Sequence, residues 1–374
     1  MNLALSLFFL AAGLAGALAA SGGQRQQPYH AIFNFGDSLS DVGNLVVENP
    51  KAFAVVGKLP YGETFFGRPT GRCSDGRLVV DFLAEAYGLP YMPAYLSLNV
   101  SKGEDGRRGA NFAVAGATAL GKDFFGKLGI VSLLWTNNSL ADQIVWFKKL
   151  KPSLCATPKD CAAYMRKSLF LVGEIGANDY NYMGLTGASV QQLRDAVPRV
   201  IESVSNAVEA LVGEGAEHVV VPSSVPFGCA SVYLTFLQSD DKREYDRYGC
   251  LTAYNSLAIY HNQQLLAAVA RLREAHPHAR IMYADYYKIT MRFVYAPAAF
   301  GFGEHTVLKA CCGGGGPYNV DFGAWCGMEG ARACEDPSKY AAWDGMHLTE
   351  AAYRHMTVAL INGTITSPPL ARPA

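Results

Sequence analysis

Residues 31–41 read Ala-Ile-Phe-Asn-Phe-Gly-Asp-Ser-Leu-Ser-Asp, and this segment gives the first indication of the architecture. Residues 31–35 form a short apolar run, which is typical of a strand buried inside a parallel sheet. Gly36 ends the run and begins a turn, so Ser38 lies just beyond the carboxyl end of the strand. Open α/β sheets bind their ligands at that edge. The stretch therefore predicts an α/β fold with a functional serine.

Three more apolar runs have the length expected of buried strands, at residues 168–173, 218–222 and 280–284. Amphipathic segments, with apolar residues three and four positions apart, lie between or beside these runs, at residues 78–87, 190–212, 251–274 and 349–361. Strands that alternate with helices favour a parallel sheet with helices on both faces. We therefore expect one central sheet in an α/β domain.

A hydrolytic serine needs an imidazole base, a carboxylate that orients the imidazole, and N–H donors for the developing oxyanion. The sequence contains neither the G-x-S-x-G elbow of α/β-hydrolases nor the H-E-x-x-H motif of metallohydrolases. Asp344 stands three residues before His347, so its carboxylate can reach Nδ1 and leave Nε2 for a serine proton. The structural alternatives are a helix-capping role for Ser38 and a capping role for Asp344 in a surface loop.

Two further positions are candidate oxyanion donors. Gly116 lies in the small-residue stretch 111–118, where a missing Cβ lets the backbone N–H approach a ligand. Asn178 follows the apolar run 168–173, which places an amide at the carboxyl end of that strand. The structural alternatives are a glycine required by packing and an asparagine that stabilises a turn.

Four blocks, at residues 36–41, 111–118, 172–180 and 343–353, occur in this order. They resemble the SGNH hydrolase superfamily, and the chain is similar to the plant GDSL esterase/lipase branch from Phe33 to Ala352, including residues 68–77 and 260–262. The resemblance implies a flavodoxin-like three-layer α/β/α sandwich with a central parallel sheet. It also implies a catalytic set of Ser38, Asp344 and His347, with oxyanion donors from the N–H groups of Ser38 and Gly116 and the side chain of Asn178.

The domain prediction follows from the separation of these residues. Ser38 and His347 are 309 positions apart and must meet, so one domain spans residues 31–365. Residues 1–19 read as an apolar signal peptide, with an uncleaved membrane anchor as the alternative. Residues 20–30 are expected to be a linker and residues 366–374 a flexible tail. We expect the secretory pathway, with an extracellular or cell-wall destination, or the Golgi if the leader remains.

Cysteines and glycosylation sequons are consistent with that compartment. The chain has nine cysteines without C-x-x-C or zinc-like spacing, so disulfides are favoured over a metal. Cys155 and Cys161 are candidates for a small loop, while Cys311 and Cys312 are candidates to pair with the two cysteines that follow them, in an order that the sequence leaves open. Sequons at Asn99, Asn137 and Asn362 predict glycosylation.

The predicted reaction is hydrolysis of a carboxylic ester without metal or cofactor. Lys plus Arg and Asp plus Glu both number 32, so no net charge favours nucleic acid. Abundant aromatic side chains suit stacking on sugars, so we expect a small acyl group, such as acetyl, on a cell-wall polysaccharide such as xylan or on a glycoside. The alternatives are a lipase for longer acyl chains and a non-catalytic secreted glycan-binding protein. A membrane is expected as a partner only if the leader stays uncleaved.

Overall fold

The computed structural model describes residues 27–99 and 106–373. One six-stranded sheet runs through this part of the chain in the order β2-β1-β3-β4-β5-β6. The first five strands are parallel, and β6 is antiparallel to β5. The strands are β1 (Ala31–Phe35), β2 (Gly109–Asn111), β3 (Ser168–Val172), β4 (His218–Pro222), β5 (Arg280–Ala284) and β6 (Thr366–Ser367). All four predicted strands are therefore confirmed.

Helices cover both faces of the sheet. One face packs against α4, α7 and α9, and the other against α2, α10 and α11. This is the three-layer α/β/α arrangement that the sequence predicts. The helices of the described residues are α1 (Asn44–Glu48), α2 (Val79–Ala86), α3 (Lys122–Lys127), α4 (Leu140–Leu154), α5 (Pro158–Arg166), α6 (Ala177–Leu185), α7 (Val190–Gly213), α8 (Ser231–Phe236), α9 (Thr252–Ala275), α10 (Tyr286–Tyr295) and α11 (Glu350–Ile361).

The packing of strand β1 explains why four of its five residues are apolar. Phe33 and Phe35 pack on the side of α4, where the ring of Phe33 meets that of Phe147 edge to face at 5.3 Å. Ile32, the residue before Phe33, packs into the core on the opposite face of the sheet. Successive side chains of a strand point to opposite faces, so a strand covered on both faces is mostly apolar, and Asn34 is the one polar residue of β1.

The domain extends beyond the predicted boundaries at both ends. Tyr29 is buried and its ring meets that of Tyr87 edge to face at 5.0 Å, so the expected linker already packs on the domain here. The expectation of a flexible tail is wrong, because β6 joins the sheet and Leu370 is buried. The predicted leader, residues 1–19, lies outside the described residues. Within the described ranges, no helix combines the length and hydropathy that crossing a bilayer requires.

All nine cysteines lie in the described residues, and eight form disulfides. Cys155 pairs with Cys161, as expected from their spacing. The C-terminal pairing that the sequence left open is Cys311–Cys334 and Cys312–Cys326. A fourth disulfide joins the segments before α8 and α9, and Cys73 is free and buried. The two C-terminal disulfides close the loops just ahead of the segment that carries Asp344 and His347.

Candidate active site

The structure brings the two ends of the chain together at one edge of the sheet. Ser38 lies in the turn after β1, and His347 lies in the loop before α11. His347 Nε2 is 2.8 Å from Ser38 Oγ, and its Nδ1 is 2.7 Å from Asp344 Oδ2. All three side chains are buried. A carboxylate at Nδ1 keeps a proton on that nitrogen, so the lone pair of Nε2 faces the serine hydroxyl.

Neither Ser38 nor Asp344 has the capping role that was the structural alternative. The helix that follows Ser38 begins at Asn44 with Gly43 as its N-cap. Thr349 caps α11, where its hydroxyl accepts the N–H of Ala352. The geometry therefore leaves the serine and the carboxylate to face the imidazole between them.

Three donors besides the imidazole hold the Asp344 carboxylate. Oδ1 accepts the backbone N–H groups of Met346 and His347, at 3.1 and 2.9 Å, and Oδ2 accepts the hydroxyl of Tyr61 at 2.7 Å. The Tyr61 oxygen accepts in turn the indole N–H of Trp325 at 3.2 Å. Burial alone would raise the pKa of Asp344, but His347 and these hydrogen bonds hold that pKa below its usual value. The carboxylate therefore stays ionised.

Asp41 fixes the turn that carries the nucleophile, a role that the sequence analysis missed. Its Oδ1 accepts the N–H groups of Gly43 and Asn44, both at 2.7 Å, and its Oδ2 accepts those of Leu45 and Ala115, at 3.1 and 2.8 Å. Burial raises the pKa of Asp41, and the four backbone donors counteract that rise. One carboxylate thus joins the serine turn to the loop that contains Gly116.

Gly116 occupies a place where a side chain does not fit. Its φ is +82°, and a Cβ there would lie 2.8 Å from the Cβ of Trp135 and 2.9 Å from the hydroxyl of Tyr182. That hydroxyl donates to the Gly116 carbonyl at 3.1 Å and accepts the N–H of Trp135 at 3.1 Å. Gly116 is therefore required by packing, as the structural alternative proposed. The same tight packing also fixes the direction of its backbone N–H. Its oxyanion role stays a prediction.

Asn178 reaches the same site from the first turn of α6. Its side chain is buried, and Nδ2 donates to the carbonyl of Ala117 at 3.0 Å and to Asp37 Oδ2 at 3.3 Å. These partners lie in the Gly116 loop and in the serine turn, so the amide connects both instead of stabilising a local turn. The four predicted blocks thus converge on one point, while the oxyanion role of the amide stays a prediction.

A largely apolar cleft opens beside Ser38. Its volume is about 50 Å³, and Val225, Phe227 and Ala230 form part of its wall. A second apolar pocket, of about 70 Å³, lies next to it, beyond Met346, and is lined partly by Phe293. The two share five residues, Leu39, Val225, Ala230, Met346 and His347. The site therefore has apolar space for an ester substituent on the side of Met346.

Aromatic rings form a row from His347 to the surface. The ring of Phe53 lies 6.2 Å from that of His347 and contacts those of Trp135 and Trp325, at 4.5 and 6.3 Å. From Trp325 the row continues to Phe322 at 5.8 Å, which stacks on Phe236 at 3.8 Å. Phe236 and Phe322 are 43% and 52% exposed. We call these five rings the aromatic row.

Two of the three sequons are open to solvent. Asn137 and Asn362 are exposed, whereas Asn99 is partly buried. Within the described ranges, no group of three or more His, Cys, Asp or Glu side chains is arranged to hold a metal ion. Glycosylation of all three asparagines stays a prediction.

Known proteins match the chain over nearly all of its length. The family model for GDSL-like lipase/acylhydrolase matches residues 32–360. A GDSL esterase/lipase of Arabidopsis thaliana is 52% identical over 343 residues, which cover 91% of this chain and 92% of the relative. A second one from the same plant is 45% identical over 346 residues, with 92% and 86% covered. A sinapine esterase of Brassica napus is 45% identical over 347 residues, with 91% and 87% covered.

Proposed function

Because the chain belongs to the GDSL-like lipase/acylhydrolase family, we propose that it hydrolyses its substrates through an acyl-enzyme formed on Ser38. The chain is a carboxylic ester hydrolase. The observation that carries the proposal is the contact of 2.8 Å between Ser38 Oγ and His347 Nε2, with Asp344 on the opposite side of the ring. This is the geometry that an activated serine requires.

In the proposed reaction the Ser38 oxygen attacks the carbonyl carbon while His347 Nε2 takes the hydroxyl proton. The imidazolium then gives this proton to the leaving alcohol, and the acyl group remains on Ser38. A water molecule attacks the acyl carbon, again losing a proton to His347, and the carboxylic acid leaves as Ser38 regains its proton. The ionised Asp344 stabilises the imidazolium in both halves.

We assign the oxyanion to three donors. They are the backbone N–H groups of Ser38 and Gly116 and the Nδ2 of Asn178. The position of Asn178 between Ala117 and Asp37 supports this assignment, since the amide is fixed beside the nucleophile before substrate binds. Nδ2 carries two N–H bonds, which in the free protein donate to Ala117 and, at the longer distance of 3.3 Å, to Asp37, so the oxyanion shares the N–H that points towards Asp37.

As substrate we propose a small acyl group, such as acetyl, on a cell-wall polysaccharide such as xylan or on a glycoside. The aromatic row supports a carbohydrate carrier, because it leads from His347 to the exposed rings of Phe236 and Phe322, and exposed aromatic rings offer apolar platforms for sugar rings. The acetyl group needs little space, and the cleft at Ser38 provides it.

A second candidate is an ester with a larger acyl or alcohol part. The apolar pocket beyond Met346 supports this alternative, since the part of a larger substituent that enters it gains stability from the burial of apolar surface. One relative carries the name sinapine esterase, so sinapine is also a substrate to test.

The third candidate is a non-catalytic glycan-binding protein. Such a protein would have no need of the contact between Ser38 and His347.

A substrate panel decides between these candidates. We expect kcat/KM to be highest for p-nitrophenyl acetate, lower for the butyrate and lowest for the palmitate, with acetate released from acetylated xylan. A preference for palmitate or sinapine would favour the second candidate. Absence of acetate release from every acetylated polysaccharide and glycoside would contradict the first, and full activity of Ser38→Ala would contradict the mechanism itself.

We also propose that the protein acts outside the cell, in the cell wall. Four disulfides support an oxidising compartment, and the exposed Asn137 and Asn362 are accessible to glycosylation. N-terminal sequencing of the protein recovered from plant tissue tests this. A mature chain that starts near residue 20 is expected for a secreted protein, and a chain that retains the leader would favour the Golgi alternative.

A further inference from the structure

A pair of buried carboxyl groups lies directly behind the nucleophile. Asp37 precedes Ser38, and Glu174 is the second residue after β3. Strands β1 and β3 are neighbours, and their last residues, Phe35 and Val172, are paired, so the two segments leave the sheet side by side. The side chains of Asp37 and Glu174 lie against each other beside the cleft at Ser38, and the residues are 2% and 3% exposed.

Each member of the pair has further fixed partners. Asp37 accepts the Leu39 N–H at 3.0 Å through Oδ1 and the Asn178 amide at 3.3 Å through Oδ2. Glu174 Oε1 accepts the hydroxyl of Ser224 at 2.8 Å. The pair therefore lies between Ser224 on one side and the proposed oxyanion donor on the other.

Asn262 extends this chain of contacts to α9. Its Oδ1 accepts the N–H of Ser224 at 2.9 Å, and its Nδ2 donates to the Ser224 carbonyl at 3.0 Å. Two hydrogen bonds to one residue fix the backbone of Ser224 and hence the direction of its hydroxyl. The block at residues 260–262, which the sequence analysis left without a role, thereby connects to the active site.

The contact between the two carboxyl groups requires a proton. Glu174 Oε2 is buried and has no donor among the described residues while both groups are ionised. Two carboxylates in contact repel each other, whereas a single proton between them makes a hydrogen bond. Burial raises the pKa of Glu174 to about 7, and burial together with the charge of Glu174 raises that of Asp37 well above its usual value.

Among the described residues, the groups with the largest influence on the pKa values of the pair include no cation that could replace that proton. Burial lowers the pKa of His261, a neighbour on α9, to about 4, so its ring is neutral at the pH of the reaction. Other titratable groups around the pair are two carboxyl groups, a thiol, five phenols and the imidazole of His347. The first three kinds belong to Asp41, Asp179, Cys73, Tyr180, Tyr182, Tyr233, Tyr286 and Tyr353.

We infer that Glu174 is a positioning residue for ester hydrolysis: through a proton shared with Asp37 it fixes the carboxyl group that holds the amide of Asn178. The inference rests on the proposed reaction at Ser38 and on the oxyanion role of Asn178, and it holds for any acyl group. Since Ala117 also holds the amide, the loss of Glu174 misplaces the donor without removing it.

Two substitutions of similar size separate hydrogen bonding from packing. Glu174→Gln keeps an acceptor for Ser224 and offers Asp37 a permanent N–H, so we expect kcat for p-nitrophenyl acetate to stay within about threefold of wild type. Glu174→Met keeps the volume but neither hydrogen bond, so we expect kcat to fall about 10- to 100-fold, with KM within about twofold. A role in packing alone predicts that Met is tolerated.

The outcomes are distinct. Wild-type kcat in the Met variant, or equal losses in the Gln and Met variants, would overturn the inference. If thermal unfolding shows that the Met variant does not fold, Ser224→Ala replaces it, with an expected fall in kcat of about 3- to 10-fold; an unchanged kcat there would overturn the inference as well. Activity retained in Ser38→Ala or in Asn178→Ala would instead refute the proposed mechanism or the oxyanion assignment, whatever the Glu174 variants do.

Discussion

Asp344→Asn replaces one oxygen of the carboxylate by an NH₂ group, and the structure determines which one. Oδ1 accepts two backbone N–H groups, those of Met346 and His347. An NH₂ group at the position of Oδ1 would face two donors. The carbonyl oxygen of the asparagine therefore occupies that position. The NH₂ group then occupies the position of Oδ2, 2.7 Å from His347 Nδ1.

This orientation reverses the imidazole tautomer. An NH₂ group beside Nδ1 requires a lone pair on that nitrogen, so the proton moves to Nε2, which faces Ser38 at 2.8 Å. The serine then has no base. A change of this kind in a serine–histidine–aspartate triad lowers kcat by about 10⁴, which corresponds to about 5.4 kcal/mol of lost transition-state stabilisation. In the wild-type protein the hydroxyl of Tyr61 donates to Oδ2. In the variant its oxygen can accept a hydrogen bond from the NH₂ group, so we expect the fold to persist.

The assay is the steady-state hydrolysis of p-nitrophenyl acetate at neutral pH, with thermal unfolding of each variant as a measure of folding. The exposed Asp240 offers a matched control, because Asp240→Asn makes the same chemical change away from the site and is expected to leave kcat unchanged. If Asp344→Asn folds and keeps kcat within tenfold of wild type, the assignment of Asp344 as the residue that orients His347 is refuted.

Four further predictions follow from other contacts. Asn178→Ala should lower kcat by about 10²–10³ with little change in KM, since it removes an oxyanion donor; an unchanged kcat would remove Asn178 from the oxyanion hole. Gly116→Ala should lower both Tm and kcat, because the residue has φ +82° and a new Cβ would lie 2.8 Å from a neighbouring side-chain atom; wild-type values of both would contradict this. Arg72→Met should destabilise the fold by about 3–5 kcal/mol, because it leaves Asp81 buried without its partner at 2.6 Å; chemical denaturation measures this. The pKa of Glu174 is about 7 in the folded protein, above its value in the unfolded chain, so the folded protein keeps this proton to a higher pH. The protonated form of Glu174 therefore stabilises the fold at low pH, and that contribution to the free energy of unfolding is lost as the pH rises through 7. The Tm of Glu174→Gln should therefore rise relative to wild type between pH 5 and pH 8, and a constant difference would count against it.

The sequence predicted the parallel sheet from local patterns, whereas the meeting of Ser38 with His347 was predicted from the resemblance of four ordered blocks to the SGNH hydrolase superfamily. The buried strands are continuous apolar runs, and the Asp344–His347 spacing is visible within four residues. Strands β2 and β6 were missed because they have three and two residues, which is too short for any periodicity. Strand β6 forms through its pairing with β5.

Tyr61 and Glu174 illustrate what local patterns cannot predict. Tyr61 lies 283 positions from Asp344, and no motif relates the two residues. Glu174 stands inside a block that the sequence analysis singled out, but an exposed glutamate and a buried one look alike in a sequence. Burial against Asp37 depends on the pairing of β1 with β3, so it could be recognised only from the folded chain.

The most direct test of the account is a covalent one. A fluorophosphonate reacts with a serine whose hydroxyl is activated by a base, and mass spectrometry of the digested protein then locates the adduct. We predict one phosphonate per chain, on the peptide that contains Ser38, and no adduct in Ser38→Ala or His347→Ala. An adduct on another residue, or labelling that persists in folded Ser38→Ala, would contradict the assignment of Ser38 as the nucleophile.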